Sequence, residues 1–235
     1  MFGAHRARGH ATMGTMATTL TGRQVAELAP DGWVLVGDGL RTCVVTGGFA
    51  AGLALVDAVG AAAEQADHHP DLDLRWGHVD VRLWSHDAGG VTQRDVELAR
   101  TVSALASDAG LTLTVAGLQS LELALDTPDA ARVLPFWEAF LAYRRPEGGQ
   151  DVRDVAGRLP PVWFQESGAG EPRQRWHLDV WVDPGEVRGR IEAAVAAGGR
   201  VVDDSQAPAF WVLADADGNR SCLCTWQDRE GEEGA

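Results

Sequence analysis

The chain has 235 residues, a formal net charge of −14, and 45% hydrophobic against 23% charged residues. This composition is typical of a soluble globular protein with one large domain or two ordinary ones. Such an acidic chain is a poor partner for the phosphate backbone of nucleic acid, so we expect no nucleic-acid partner. Three cysteines make no disulfide framework, and we find no apolar run long enough to cross a bilayer. We therefore expect a cytoplasmic protein without a membrane partner.

The chain opens with residues 1–18, which lack the apolar core of a secretory signal and are predicted to be a disordered leader. Thr21 follows and can cap a short helix. Residues 33–36 and 40–46 are rich in β-formers and flank Gly37-Asp38-Gly39, so they predict a hairpin.

A longer helix is predicted from Ala51 to Ala63, where apolar residues recur at helical spacing. It ends at His68-His69-Pro70, because proline disfavours the helical conformation of the residue before it. The two imidazoles then project from a helix end, and histidine exchanges protons near neutral pH. The competing interpretation is a surface pair that interacts with the negative end of the helix dipole.

Residues Val79, Val81 and Leu83 alternate with polar residues and predict a strand that ends near Ser85-His86. Thr92 then caps another amphipathic helix. The order predicts an α+β domain, with helices on one face of a small antiparallel sheet. A zinc site in this half is not expected, because His78 and His86 would be about 26 Å apart along a regular strand.

These residues resemble the pterin-4a-carbinolamine dehydratase family over residues 20–109, within a predicted domain 19–110. The motif comprises Glu64-x-x-x-His68-His69-Pro70, the aromatic Trp76, Ser85-His86 and Arg94-Asp95. The resemblance implies dehydration of 4a-hydroxytetrahydrobiopterin to quinonoid dihydropterin in tetrahydropterin recycling. It implies a pterin substrate, no metal, no organic cofactor, a link to an aromatic amino acid hydroxylase pathway, and a homo-oligomer.

The resemblance also implies roles for the three histidines. His68 and His86 would carry the acid and base steps and His69 would assist or orient the pterin, although the roles could be exchanged. We predict substrate contacts from the residues that flank them: Asp67, Pro70, Trp84, Ser85, Asp87 and Ala88. Trp84 is bulky where a small polar residue is expected, which bears on the pterin side chain that fits. Asp67 either orients an imidazole or is a solvated acid, and Arg94 and Asp95 are predicted to be structural.

The second half begins after residues 110–117, an apolar segment that we interpret as a connector or a short strand. A helix is predicted at 128–143 and another at 185–197. Strands are predicted at 121–125, 162–164, 176–182, 201–202, 210–213 and 222–226. Two strand–helix–strand units in tandem indicate an internal duplication.

This half resembles the glyoxalase-like group of the vicinal oxygen chelate superfamily, in a predicted domain 117–228 with two βαβββ units. The resemblance rests on residues 125–129 with Phe136-Trp137, on His177-Leu178-Asp179, and on residues 214–219. Such a fold serves many reactions, so the activity stays open. Residues 215–219 are predicted to be a hairpin turn, and residues 229–235 a frayed tail.

Metal-using members of that superfamily place ligands on the first and last strand of each unit, and Glu122, His177 and Glu166 are the candidates for such places here. Cys222, however, stands where a glutamate is expected, and a mixed oxygen, nitrogen and sulfur set suits the usual divalent metals poorly. We therefore predict no metal. Two other functions stay open: a metal-dependent glyoxalase- or dioxygenase-like activity in the second domain, and a non-catalytic binding or dimerisation protein. One or two of the nine tryptophans could line a pocket for a flat ring such as a pterin.

Overall fold

The structure, a computed structural model, describes residues 18–146, 148–168, 176–214 and 220–229. The predicted leader apart from Thr18, the predicted turn at 215–219 and the predicted tail beyond Arg229 lie outside this part of the chain.

The first domain is an antiparallel sheet covered by helices. Its elements are α1 (Gly22–Leu28), β1 (Val34–Val36), β2 (Gly39–Val45), α2 (Phe49–Ala66), β3 (Asp71–Leu74), β4 (His78–Leu83), α3 (Gln93–Asp108) and β5 (Thr112–Thr114). The strand order is β1-β2-β4-β3, and β5 pairs with β2. The α+β prediction is confirmed. Strand β3 was not predicted, and the segment predicted as a connector between the domains supplies β5 to this sheet.

Local sequence explains the helix ends. Thr21 and Thr92 each form a capping box with the residue three positions on, Gln24 and Asp95. Helix α2 ends at Asp67, whose left-handed conformation (φ 48°, ψ 40°) terminates the helix one residue before the histidine pair.

Helix α2 contradicts the expectation that no apolar segment of the chain is long enough to cross a bilayer. Its 18 residues are long and apolar enough to cross a membrane by length and composition alone. One face of the helix, with Leu55, Val59 and Ala63, is instead buried on the sheet against Val79, Val81 and Leu83 of β4 and against α3. This packing is what an amphipathic core helix requires.

The second domain is built around a seven-stranded sheet in the order β10-β11-β12-β9-β6-β8-β7. Its elements are β6 (Gln119–Thr127), α4 (Ala130–Leu141), β7 (Asp151–Val152), β8 (Val162–Glu166), β9 (Trp176–Val182), α5 (Val187–Ala196), β10 (Arg200–Asp203), β11 (Phe210–Ala214) and β12 (Arg220–Cys224).

The predicted duplication is visible in the pairing of this sheet. The last strand of each unit lies parallel to its first strand, β8 beside β6 and β12 beside β9, and β6 pairs antiparallel with β9 to join the units. The second unit has three strands after its helix. Within the described residues the first unit has two, β7 and β8, so it is one strand short of the predicted βαβββ.

The two domains touch at the turn between β1 and β2. Arg153 donates a hydrogen bond of 3.4 Å to Asp38 of this turn, and Gly37 lies against Ser120 at the start of β6. Gly22 in α1 lies against Trp226, beyond the end of β12. These contacts hold one end of the first sheet beside β6.

Candidate active site

His68 is a buried histidine at the junction of two helices. It follows the end of α2, and its backbone N–H still donates to the carbonyl of Ala63. Its side chain is 8% exposed, and its Nε2 lies 2.7 Å from Oδ1 of Asp95 in the first turn of α3. The ring is therefore held between a helix end and a helix start.

Asp95 is the centre of a buried hydrogen-bond network. Its Oδ1 accepts from His68, while its Oδ2 accepts from the Ser85 hydroxyl (2.7 Å) and from the backbone N–H (2.7 Å) and hydroxyl (3.1 Å) of Thr92. Four hydrogen bonds use about all the acceptor positions of one carboxylate. From the sequence, Asp95 was predicted to be a structural residue at the start of α3. The same carboxylate also binds His68, and its two signals in the sequence were the capping-box spacing and the Arg94-Asp95 pair of the family motif.

The network assigns a tautomer to His68. An ionised carboxylate can only accept hydrogen bonds, so Nε2 of His68 carries the hydrogen that it shares with Asp95. The neutral ring then has its lone pair on Nδ1, which is the nitrogen that remains for proton exchange with a ligand. Asp95, rather than Asp67, is the carboxylate that orients this imidazole.

His69 has a different environment from its neighbour. Its side chain is 57% exposed, and its Nε2 lies 2.9 Å from Oε1 of Glu64 in the last turn of α2. Asp67 is exposed and Pro70 is half-buried beside the pair. Trp76, the aromatic residue of the recognised motif, is 76% exposed on the turn before β4.

His86 lies on the turn that follows β4. Its exposed ring packs edge-on against Trp84, with 4.7 Å between the ring centroids. Ser85 pairs with Gly90 across the turn, and the N–H of Ala88 donates to the carbonyl of Ser85. Asp87 is exposed, and a hydrogen bond from Arg94 lowers its pKa.

A cleft of about 520 Å³ lies between the two domains, and His86 lines it. The first domain contributes Arg41, Arg82 and Trp84, and the second contributes Glu122 and the segment 153–161. The indole N–H of Trp84 and Nε of Arg41 are buried without a hydrogen-bond acceptor among the described residues. Of these cleft residues, Trp84 contacts His86 directly.

The structure brings some of the predicted residues together directly. Asp95 links His68 to Ser85, and His86 is the next residue along the chain. His69 and His86 make their own contacts, with Glu64 and Trp84. Convergence of all three imidazoles on one ligand stays a prediction.

A larger cavity, about 780 Å³, lies within the second domain. Glu122, Asp179 and Cys222 form one row across β6, β9 and β12, because Asp179 is the register partner of both of the others. Burial raises the pKa of the Glu122 and Asp179 carboxyls. Burial and the nearby Asp179 raise the pKa of the Cys222 thiol to about 12.

These residues do not fit a divalent metal. Over the described part of the chain, no three His, Cys, Asp or Glu side chains are grouped so that they could hold an ion. Glu122 instead accepts from the Trp181 indole at 3.0 Å, and His177 lies between Asp126 and Asp179 at 3.6 and 3.7 Å. Glu166 is exposed at the end of β8.

Comparison with known proteins matches each domain separately. The pterin 4 alpha carbinolamine dehydratase family matches residues 18–105, and a glyoxalase-like domain matches residues 122–224. A protein from Nocardia farcinica named for the dehydratase family is 45% identical over 89 residues, which are 37% of this chain and 94% of that protein. Another, from Thermosynechococcus vestitus, is 45% identical over 83 residues, 35% of this chain and 85% of that protein.

A solved structure of a transcriptional coactivator/pterin dehydratase from Brucella melitensis is 30% identical, with a TM-score of 0.37. It covers 38% of this chain and 99% of its own. The curated relatives match the first domain over most of their own length, with the histidine pair and the third histidine inside the matched region. The chain thus belongs to the pterin-4a-carbinolamine dehydratase family and carries a glyoxalase-like domain after its dehydratase domain.

Proposed function

We propose that the first domain removes water from 4a-hydroxytetrahydrobiopterin and releases quinonoid dihydropterin. The C4a–oxygen bond breaks when a proton reaches the leaving hydroxyl, which departs as water. Loss of the proton from N5 then completes the C4a=N5 double bond. One proton is delivered and one is removed, so the reaction needs an acid and a base but neither an oxidant nor a reductant.

The observation that carries this proposal is the buried pair of His68 and Asp95, with 2.7 Å between Nε2 and Oδ1. A carboxylate that fixes the tautomer of a histidine prepares the other ring nitrogen for proton transfer. The pair sits at the start of α3, and Ser85 joins it to the turn that carries His86. Two imidazoles on neighbouring elements can supply both proton transfers near neutral pH.

We assign the base step to His68, because its neutral ring has the lone pair on Nδ1. His86 is exposed in the cleft, so it can recover a proton from solvent between turnovers, and we assign the acid step to it. His69, held by Glu64 at the helix end, orients the pterin. Trp84 packs edge-on against His86, and we assign to its bulk the selection of the pterin side chain.

The test is dehydration of the carbinolamine, generated by a hydroxylase in the same cuvette, by His68→Ala and His86→Ala variants of the full chain. Each general acid or base contributes roughly 10²- to 10⁴-fold to the rate, so each variant should lose that much. His78→Ala is the matched control, since His78 lies on β4 and its ion pair is a loose one with Asp80 at 3.7 Å. Wild-type turnover in both variants would refute the assignment.

The pterin side chain is a separate part of the proposal. Comparing carbinolamines with a dihydroxypropyl and a methyl side chain tests it, because the bulky Trp84 beside His86 should make turnover depend on the size of the pterin side chain. The homo-oligomeric state and the cytoplasmic location stay predictions from the sequence. Light scattering of the purified chain tests the oligomeric state.

A further inference from the structure

The cavity of the second domain contains two carboxyls to which the described residues donate few hydrogen bonds. Glu122 and Asp179 face each other on neighbouring strands, where like charges directly opposite are unfavourable. Within the described residues, one indole N–H donates to each, from Trp181 at 3.0 Å and from Trp163 at 3.1 Å. Oδ1 of Asp179 is buried and has no nitrogen or oxygen donor at hydrogen-bond distance in the part of the chain that the structure describes. Its neighbours are the Cys222 thiol, a weak donor, and His177 Nε2 at 3.7 Å.

The two arginines at the cavity are engaged elsewhere. Arg229 donates to the backbone carbonyls of Thr225 and Ala209. Arg153 donates to Asp151 and to Asp38 of the first domain. Neither arginine donates a hydrogen bond to Glu122 or Asp179, although Arg153 acts on Glu122 and Arg229 on Asp179 through their charges. A buried carboxylate oxygen without a donor costs free energy, which a ligand with N–H groups would recover.

The other walls of the cavity are aromatic. Trp163, Trp181 and Phe210 line it, and the guanidinium of Arg229 stacks over Trp181 with 4.3 Å to the ring centroid. Flat faces beside hydrogen-bond acceptors suit a planar heterocycle that carries amino and ring N–H groups on its edge. An aliphatic ammonium could bind the carboxyls and contact the indoles through cation–π interactions, but it would cover less of the flat aromatic walls than a planar ring does.

The position of the cavity favours one class of planar heterocycle as the ligand. Glu122, Arg153 and Pro161 line both this cavity and the cleft in which His86 lies. A ring held by Glu122 and Asp179 therefore sits next to the proposed dehydratase site, and the aminopyrimidine edge of a pterin has the required N–H donors.

We propose that the cavity of the second domain is a second pterin site, in which Glu122 and Asp179 accept hydrogen bonds from the aminopyrimidine edge and Trp163 and Trp181 contact the ring. The choice of a pterin rests on the proposed function, which makes pterins the substrates of this chain. The site holds the ring through stacking and hydrogen bonds and takes no part in the proton transfers.

The experiment is calorimetric titration of the full chain with 6-methylpterin, an oxidised ring that has no 4a-hydroxyl to lose. The Glu122→Gln, Asp179→Asn double variant should bind one pterin fewer per chain than the wild type. A bond to a charged acceptor contributes about 1.5–3 kcal/mol, so each single variant should weaken this site roughly tenfold to a hundredfold. Glu166→Gln, an exposed acid on the same sheet, is the matched control and should bind as the wild type does.

Several outcomes overturn the proposal. The same number of pterins bound with the same affinity by the double variant would do so. The proposal is also wrong if the chain binds Mn²⁺ or Zn²⁺ through these two carboxyls and does not bind pterin. A Trp163→Phe variant gives a second measurement, because it should lose part of the fluorescence quenching that pterin causes. Failure of the dehydratase proposal looks different: turnover is absent, while pterin binding still depends on Glu122 and Asp179.

Discussion

Replacing Asp95 with asparagine tests the centre of the proposed site. The amide oxygen should occupy the position of Oδ2, because three donors from Ser85 and Thr92 converge there. The NH₂ group then faces Nε2 of His68, and two donors meet where a hydrogen bond of 2.7 Å existed. His68 can restore the bond only by moving its hydrogen to Nδ1, which removes the lone pair that we assign to the base step.

The size of both effects follows from the network. Hydrogen bonds to a charged acceptor contribute about 1.5–3 kcal/mol and those to a neutral one about 0.5–1.5 kcal/mol. Weakening four bonds by about 1 kcal/mol each lowers the free energy of unfolding by about 4 kcal/mol, measured by urea denaturation. Turnover should fall by roughly 10²- to 10⁴-fold, as for loss of a catalytic base.

Asp73→Asn is the matched control, since Asp73 is a half-exposed carboxylate that forms a surface ion pair with Arg75. Its stability and turnover should stay close to the wild type. If Asp95→Asn is destabilised but turns over carbinolamine at the wild-type rate, the tautomer argument is wrong and Asp95 is only a capping residue. A pH profile separates the roles further, because a purely structural change alters the rate without altering its dependence on pH.

Three further substitutions have defined outcomes. Thr92→Ala removes the side-chain cap of α3 and should cost about 0.5–2 kcal/mol of unfolding free energy, read from urea denaturation. Gly60→Ala in the middle of α2 meets no atom within 4 Å of the added Cβ and should stabilise the chain by about 0.4–1 kcal/mol, seen as a higher melting temperature. Glu122→Gln removes a buried carboxyl that faces Asp179 and Arg153 and whose pKa is raised. A raised pKa means that protonation stabilises the fold, so the variant should be more stable than wild type near neutral pH. This difference in unfolding free energy should shrink as the pH falls through the raised pKa. An equal difference at neutral and at acidic pH would contradict the raised pKa.

Local sequence predicted the larger elements well. Threonines at the helix starts, the proline after the histidine pair and the alternation along β4 all act through a few neighbouring residues. Strand β3 was missed although Asp71-Leu72-Asp73-Leu74 alternates, because two exposed aspartates and two half-buried leucines beside a proline carry little hydrophobic signal. Strand β7, with two residues, carries even less.

The site was only partly predictable for the same reason. His68 and His69 are adjacent in sequence and share the same motif, yet one is buried on Asp95 and the other is exposed on Glu64. That difference depends on where α3 packs against the end of α2. The left-handed residue at Asp67 sets the direction of the chain at this point, and no local pattern reveals it.

By itself, the sequence determined the α+β class, the helix caps, the histidine motif and the presence of two different domains, because each depends on local spacing or on a family pattern. Only the tertiary structure decided that Asp95 binds His68, that His86 lies in a cleft between the domains, and that Glu122 and Asp179 face each other in one cavity. These pairs are distant in the chain, and they meet through strand register and helix packing, which arise only when the whole chain has folded.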